Sequence, residues 1–88
     1  MNKQRRKDID QAIGSLESVS LEGIRDSIQF ILDEEEQCLD ELPENLQESD
    51  QAERFQEAVN NLECAINDLE EIESSIESSI EYLTEAKG

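Results

Sequence analysis

The chain has 88 residues, with 24 Asp and Glu against 7 Lys and Arg, no His, and a formal net charge of −17. That length allows one small domain, and a monomer of this size buries little of its surface. Without His there is no Ser-His or Cys-His nucleophile pair, and no Gly-rich phosphate loop is present either. The expectation is therefore a protein with no catalytic residues, no metal and no cofactor. Cys38 and Cys64 lack metal-ligand spacing, and two unpaired thiols suit a reducing compartment.

The first residues carry four of the seven cations: Lys3, Arg5, Arg6 and Lys7. No apolar segment follows them, so they do not read as a signal peptide, and no apolar run approaches the length of a membrane span. A cytoplasmic protein with no membrane contact is expected. From Asp8 to Ala86 only Arg25 and Arg54 oppose the carboxylates. High charge with few aromatic residues is also a signature of disorder. A regular apolar stripe argues instead for a folded helical body.

The first arm is expected over about residues 4–42. Ile24, Ile28, Ile31, Glu35, Cys38 and Leu42 follow 4-3-4-3-4 spacing, and Leu21, Leu32 and Leu39 widen the stripe. Ile9, Ile13 and Leu16 continue it upstream. Linking them through Ser20 needs consecutive steps of four, a stutter that unwinds a supercoil. The alternative is a break at 18–20, with Ser20 capping a new helix and Val19 and Ile24 forming its hydrophobic staple. Gly14 and Gly23 weaken helix on either side.

Pro43 divides the chain, since proline ends a helix at or before the residue preceding it. A turn is expected over 43–49. Asp50 follows as a helix cap with Glu53 three residues on, and Ser49 is the alternative cap. The second arm, about 50–86, carries a heptad pattern. Phe55, Leu62, Leu69, Ile76 and Leu83 form one row; Ala52, Val59, Ile66, Glu73 and Ile80 form the other. Such an arm would be roughly 55 Å long.

Folding at Pro43 sets Leu42 near Gln51 or Ala52, Glu35 near Val59, Ile28 near Ile66 and Ile24 near Leu69. Further out, Ser20 meets Glu73, Ile13 meets Ile80 and Ile9 meets Leu83. The expected fold is all-α, one domain over 1–88: a long antiparallel helical hairpin. A three-helix arrangement with residues 4–17 folded back is the alternative. A bare hairpin buries little. The wide stripe, including Leu46 and Ile72, leaves apolar surface for another layer, most simply a second copy forming a four-helix bundle.

Glu35 and Glu73 interrupt the core rows, as residues at a seam edge or register-setting polar positions do. They are too far apart in this register to share a metal. The basic head comes near Glu77, Glu81 and Glu85, where it would pin the open end. Cys38 fits a core row and Cys64 an outer face, offset too far for a disulfide.

The candidate partner-binding residues are Asp26, Phe30, Asp33, Glu34, Glu36, Asp40, Glu41 and Glu44. They concentrate charge toward the proline turn, and fields of this kind steer basic partners. Phe30 and Tyr82 lie off the seam, where each is a bundle-edge packing residue or an anchor amid charge. The sharpest form of the idea is nucleic-acid mimicry. A duplex of about 55 Å carries about 32 phosphates. Two hairpins would carry twice −17, or −34. The partner would be a basic host protein, a nuclease or other nucleic-acid-binding protein, with no direct contact to nucleic acid. The competing reading is a structural or adaptor bundle in which the charge only confers solubility.

The segments MNKQRRK, LDELPENLQES and AVNNLECAINDLEEI resemble small acidic helical proteins encoded by bacterial phages and mobile elements. The resemblance brings no activity and no functional residues. It implies a phage-encoded interaction protein, an inhibitor of host defence.

Overall fold

A computed structural model describes all residues from Met1 to Gly88. The fold is all-α: α1 spans Lys3–Glu17, α2 spans Glu22–Asp40 and α3 spans Asp50–Lys87, with a short 3₁₀ turn at Glu44–Leu46 before α3. The chain forms two compact units. One joins Met1–Leu21 to Glu70–Gly88, and the other is Glu22–Leu69. The helix α3 runs without a break through residues of both.

In the first unit, α1 starts against an electrostatic handicap. Its first turn holds Lys3, Arg5 and Arg6 and no acid, although the positive end of the helix dipole favours anions there. The start is held by Asn2, whose Oδ1 accepts the Arg5 amide at 2.8 Å. Such a cap contributes about 1 kcal/mol. Along α1, Ile13 is buried while Ile9 and Leu16 are half-buried, one stripe at helical spacing. The α3 part of this unit half-buries Glu73, Ile76, Ile80, Leu83 and Lys87, again spaced by threes and fours. Lys87 Nζ donates to Asp10 Oδ1 at 2.7 Å. The four cations of the basic head are exposed and lie outside this pair. An exposed pair of this kind contributes at most about 1 kcal/mol.

The interruption between α1 and α2 is a helix break. The Ser18 amide donates to the Gly14 carbonyl at 3.1 Å and the Ser18 hydroxyl to the Ser15 carbonyl at 2.7 Å, satisfying the end of α1. Ser20 is exposed, and α2 opens only at Glu22. Val19 is 49% and Ile24 53% exposed, so the expected staple is not buried.

The second unit is an antiparallel hairpin of α2 and the first half of α3. Its core is Leu32, Val59 and Ile66, with Ile28 and Leu62 packed against them. The expected register, with Ile28 beside Ile66, agrees with this cluster. The seam on α2, however, is rotated from the expected row. Its inward positions are Arg25, Ile28, Leu32, Glu35, Leu39 and Leu42, while Ile24 and Ile31 are 53% and 45% exposed and Cys38 is exposed. Ile24 therefore lies at the exposed margin of the seam, and Cys38 is not a core residue. The physical reason is that two rows on α2 share Ile28, Glu35 and Leu42, and both keep the heptad spacing. Spacing alone does not separate them. Packing does, because Leu32 meets Val59 and Ile66. Glu35 is half-buried, as a seam-edge residue is.

The connection is held by side chains. The Gln47 Nε2 amide donates to the carbonyls of Leu39 at 3.2 Å, which also accepts the Leu42 amide, and of Leu42 at 2.7 Å, tying the turn to the end of α2. Leu46 N donates to the Pro43 carbonyl at 2.8 Å, closing the 3₁₀ turn. Ser49, not Asp50, caps α3: its Oγ accepts the Ala52 amide at 3.4 Å. Asp50 is the first helical residue, and with Glu53 it places acid in the first turn. There it favours the positive end of the dipole without acting as the cap.

The accessible surface is 6631 Å² for a 10.0 kDa chain. A compact monomer of that mass exposes about 5,200 Å². No side chain is more than 98% buried. This chain leaves a large surface open.

Leu32→Ala is expected to cost about 2–5 kcal/mol in urea unfolding followed by circular dichroism, and Ile31→Ala less than about 0.5 kcal/mol. Equal losses would contradict the seam described here. At Gly14 a Cβ would meet nothing within 4 Å. Gly14→Ala should therefore stabilise α1 by up to about 1 kcal/mol, read as a rise in melting temperature of a few degrees.

Candidate protein-binding surface

The charge is divided unevenly between the units. The hairpin, Glu22–Leu69, holds 15 Asp and Glu against Arg25 and Arg54, a formal −13. The first unit holds nine against five, a formal −4. Most of the acidity thus belongs to one small helical hairpin.

The eight candidate residues all fall within that hairpin, but not on one face. At about 100° per residue, Asp26, Phe30, Asp33 and Asp40 lie within an arc of about 80°. All four are exposed, and Phe30 is 64% exposed. This arc is opposite the Leu32 seam. Glu36 is half-buried on one flank of α2, and Glu34 is exposed on the other, beside Ile31 and Cys38. Glu41 follows the end of α2 and Glu44 opens the 3₁₀ turn, both exposed. The structure gathers Asp26, Phe30, Asp33 and Asp40 into one surface and leaves the other four around it.

Two of the candidate acids, Asp33 and Glu41, accept from neutral donors. Gln29 Nε2 donates to Asp33 Oδ1 and Gln37 Nε2 to Glu41 Oε1, each at 3.0 Å over four residues of helix. Lysine at those positions would make a comparable helix pair and cancel the charge. Glutamine orders the carboxylate and leaves its charge in place. Gln47 serves the turn in the same manner. Sequence reasoning missed these glutamines. The signal available was their placement four residues before an acid, or four after Pro43.

Tyr82 is 74% exposed in the first unit. Both cysteines are free and exposed. No group of three or more His, Cys, Asp or Glu is placed to hold a metal ion, and no helix is long and apolar enough to cross a membrane. No protein-family model, curated protein or solved structure matches the chain. The functional reading rests on the residues themselves.

Cys38 offers a direct check on this geometry. Both thiols should react with Ellman's reagent in the native protein, without denaturant. A Cys38 that reacts only after unfolding would place it back in the core.

Proposed function

We propose that the chain is an acidic binding protein whose α2–α3 hairpin occupies a basic surface shaped for nucleic acid, and that it acts by binding rather than catalysis. The observation that carries this reading is the −13 confined to residues 22–69. The α2 helix with its turn is about 30 Å long, and duplex DNA of that length carries about 18 phosphates. One hairpin thus reaches a large fraction of duplex charge density without a second copy. Two of its acids, Asp33 and Glu41, accept from the neutral amides of Gln29 and Gln37, which leave their charge uncancelled. Phe30 stands among them as an apolar anchor.

The partner that fits is a basic nucleic-acid-binding protein of a bacterial host, a nuclease among them. The likeness of MNKQRRK, LDELPENLQES and AVNNLECAINDLEEI to acidic phage proteins supports a phage-encoded inhibitor of defence, acting in the host cytoplasm. The test is capture from host lysate on immobilised protein, with duplex DNA as competitor. DNA should displace the captured protein. The triple variant Asp33→Lys, Glu34→Lys, Glu36→Lys should capture about tenfold less. Undiminished capture by that variant, with no displacement by DNA, would sink the proposal.

A second reading is a homodimeric four-helix bundle serving as a structural or adaptor module. The exposed Ile24, Ile31 and Ile72 favour it. Pairing would bring two hairpins of −13 together, so any dimer should strengthen with salt. Sedimentation at low and high ionic strength decides. A monomer at both removes the bundle.

A further inference from the structure

The hairpin has an apolar side that the acidic surface does not explain. On α2, Ile24, Ile31 and Cys38 recur every seven residues and are all exposed. Single exposed apolar residues need no explanation, but three in line do. On α3, Ala58 and Ala65 are half-buried, also seven apart. Each row is offset by about 80° from the seam of its own helix. The offsets have the same sense along both helices. Antiparallel helices turn equal-sense offsets to the same side, so the two rows share one open side of the hairpin. Isoleucines border it on α2, and the small alanines let another backbone approach closely over α3.

We propose that this side is a docking groove for a basic amphipathic helix of the partner. The proposal rests on the acidic-binding reading and names the element of the partner that docks. Charge selects the occupant. Glu34, Glu35 and Asp68 border the groove, with Arg54 as the one cation among them. A second copy would present another −13 hairpin to these acids. A helix with Leu or Ile along one stripe and Lys or Arg beside it satisfies both the apolar floor and the rims. From Ile24 to Cys38 the row extends about 21 Å, which matches about four turns of a docked helix.

The two thiols report the contact. Cys38 lies on the groove; Cys64 points to the opposite outer side of the hairpin by the same helical geometry. The experiment measures alkylation rates of Cys38 in Cys64→Ser, and of Cys64 in Cys38→Ser, in the full chain. The probe is a 21-residue peptide with Leu at both core positions of each heptad and Lys elsewhere. A scrambled peptide of the same composition is the control. The amphipathic peptide should slow Cys38 about tenfold at saturation and leave Cys64 unchanged. The scrambled peptide should slow neither. Ile31→Glu, at an exposed position, should keep the native melting temperature and abolish the protection.

Equal slowing of both thiols, or equal slowing by the scrambled peptide, would show charge attraction alone and overturn the groove. So would a dimer in sedimentation whose Cys38 is already unreactive. Undiminished, DNA-displaceable capture of a basic partner by Ile31→Glu would also remove the groove, while leaving the acidic-surface reading standing. Peptide protection of Cys38 with no DNA-displaceable partner would do the reverse.

Discussion

The hairpin exists because a narrow apolar seam outweighs the repulsion of the acids that coat it. Leu32, Val59 and Ile66 are its buried centre, with Ile28 and Leu62 against them. Burying a side chain of this size contributes about 1.5–3 kcal/mol. Fifteen carboxylates against two arginines oppose that closure. The opposition is tolerable because the charges point into water, where interaction between unit charges 4 Å apart is about 1 kcal/mol, and salt weakens it further with distance. The buried positions of the hairpin, Leu32, Ala52, Val59 and Ile66, are all apolar, so its closure takes no charged side chain wholly out of water. The outward placement of the acids is therefore both a condition of folding and the origin of the surface available to a partner.

The same arrangement explains which parts of the fold were legible in the sequence. The second arm was the clearest. Its rows through Val59 and Ile66 stand out because no large aliphatic residue other than Leu62, itself in the rows, lies between them. Its end near Lys87 and its start near Asp50 follow from the loss of periodicity and from Pro43. The first arm was harder because α2 is apolar over a wider arc. The row through Ile31 and Cys38 and the row through Leu32 and Leu39 have equal claims by spacing. Only the partner helix distinguishes them, and the contact of Leu32 with Val59 and Ile66 is a tertiary fact. The cap of α3 was legible as a choice of two residues, Ser49 and Asp50, that differ by one position. The choice depends on which backbone turns first.

The candidate surface was legible in composition but not in shape. The acids near the turn are countable in the sequence. That Asp26, Phe30, Asp33 and Asp40 form one outward arc, with Glu34 and Glu36 on opposite flanks, follows once the seam is fixed. Choosing the wrong row for the seam rotates every side chain on α2 by about 50°. It was this rotation that converted Ile24, Ile31 and Cys38 from core residues into an exposed row. The apolar groove and the corrected seam are thus two views of one fact about α2.

Gln47 has a consequence for how such a protein would let go of its partner. Its amide bonds to the Leu39 and Leu42 carbonyls join two neutral groups. Mobile ions screen charges over a Debye length of about 8 Å at physiological salt, and they leave a neutral hydrogen bond almost untouched. Rising salt would loosen an electrostatic grip while the turn that displays Glu41 and Glu44 kept its form. On the proposed function, release and shape would be governed by different forces. The protein would leave its partner still folded and ready to bind again.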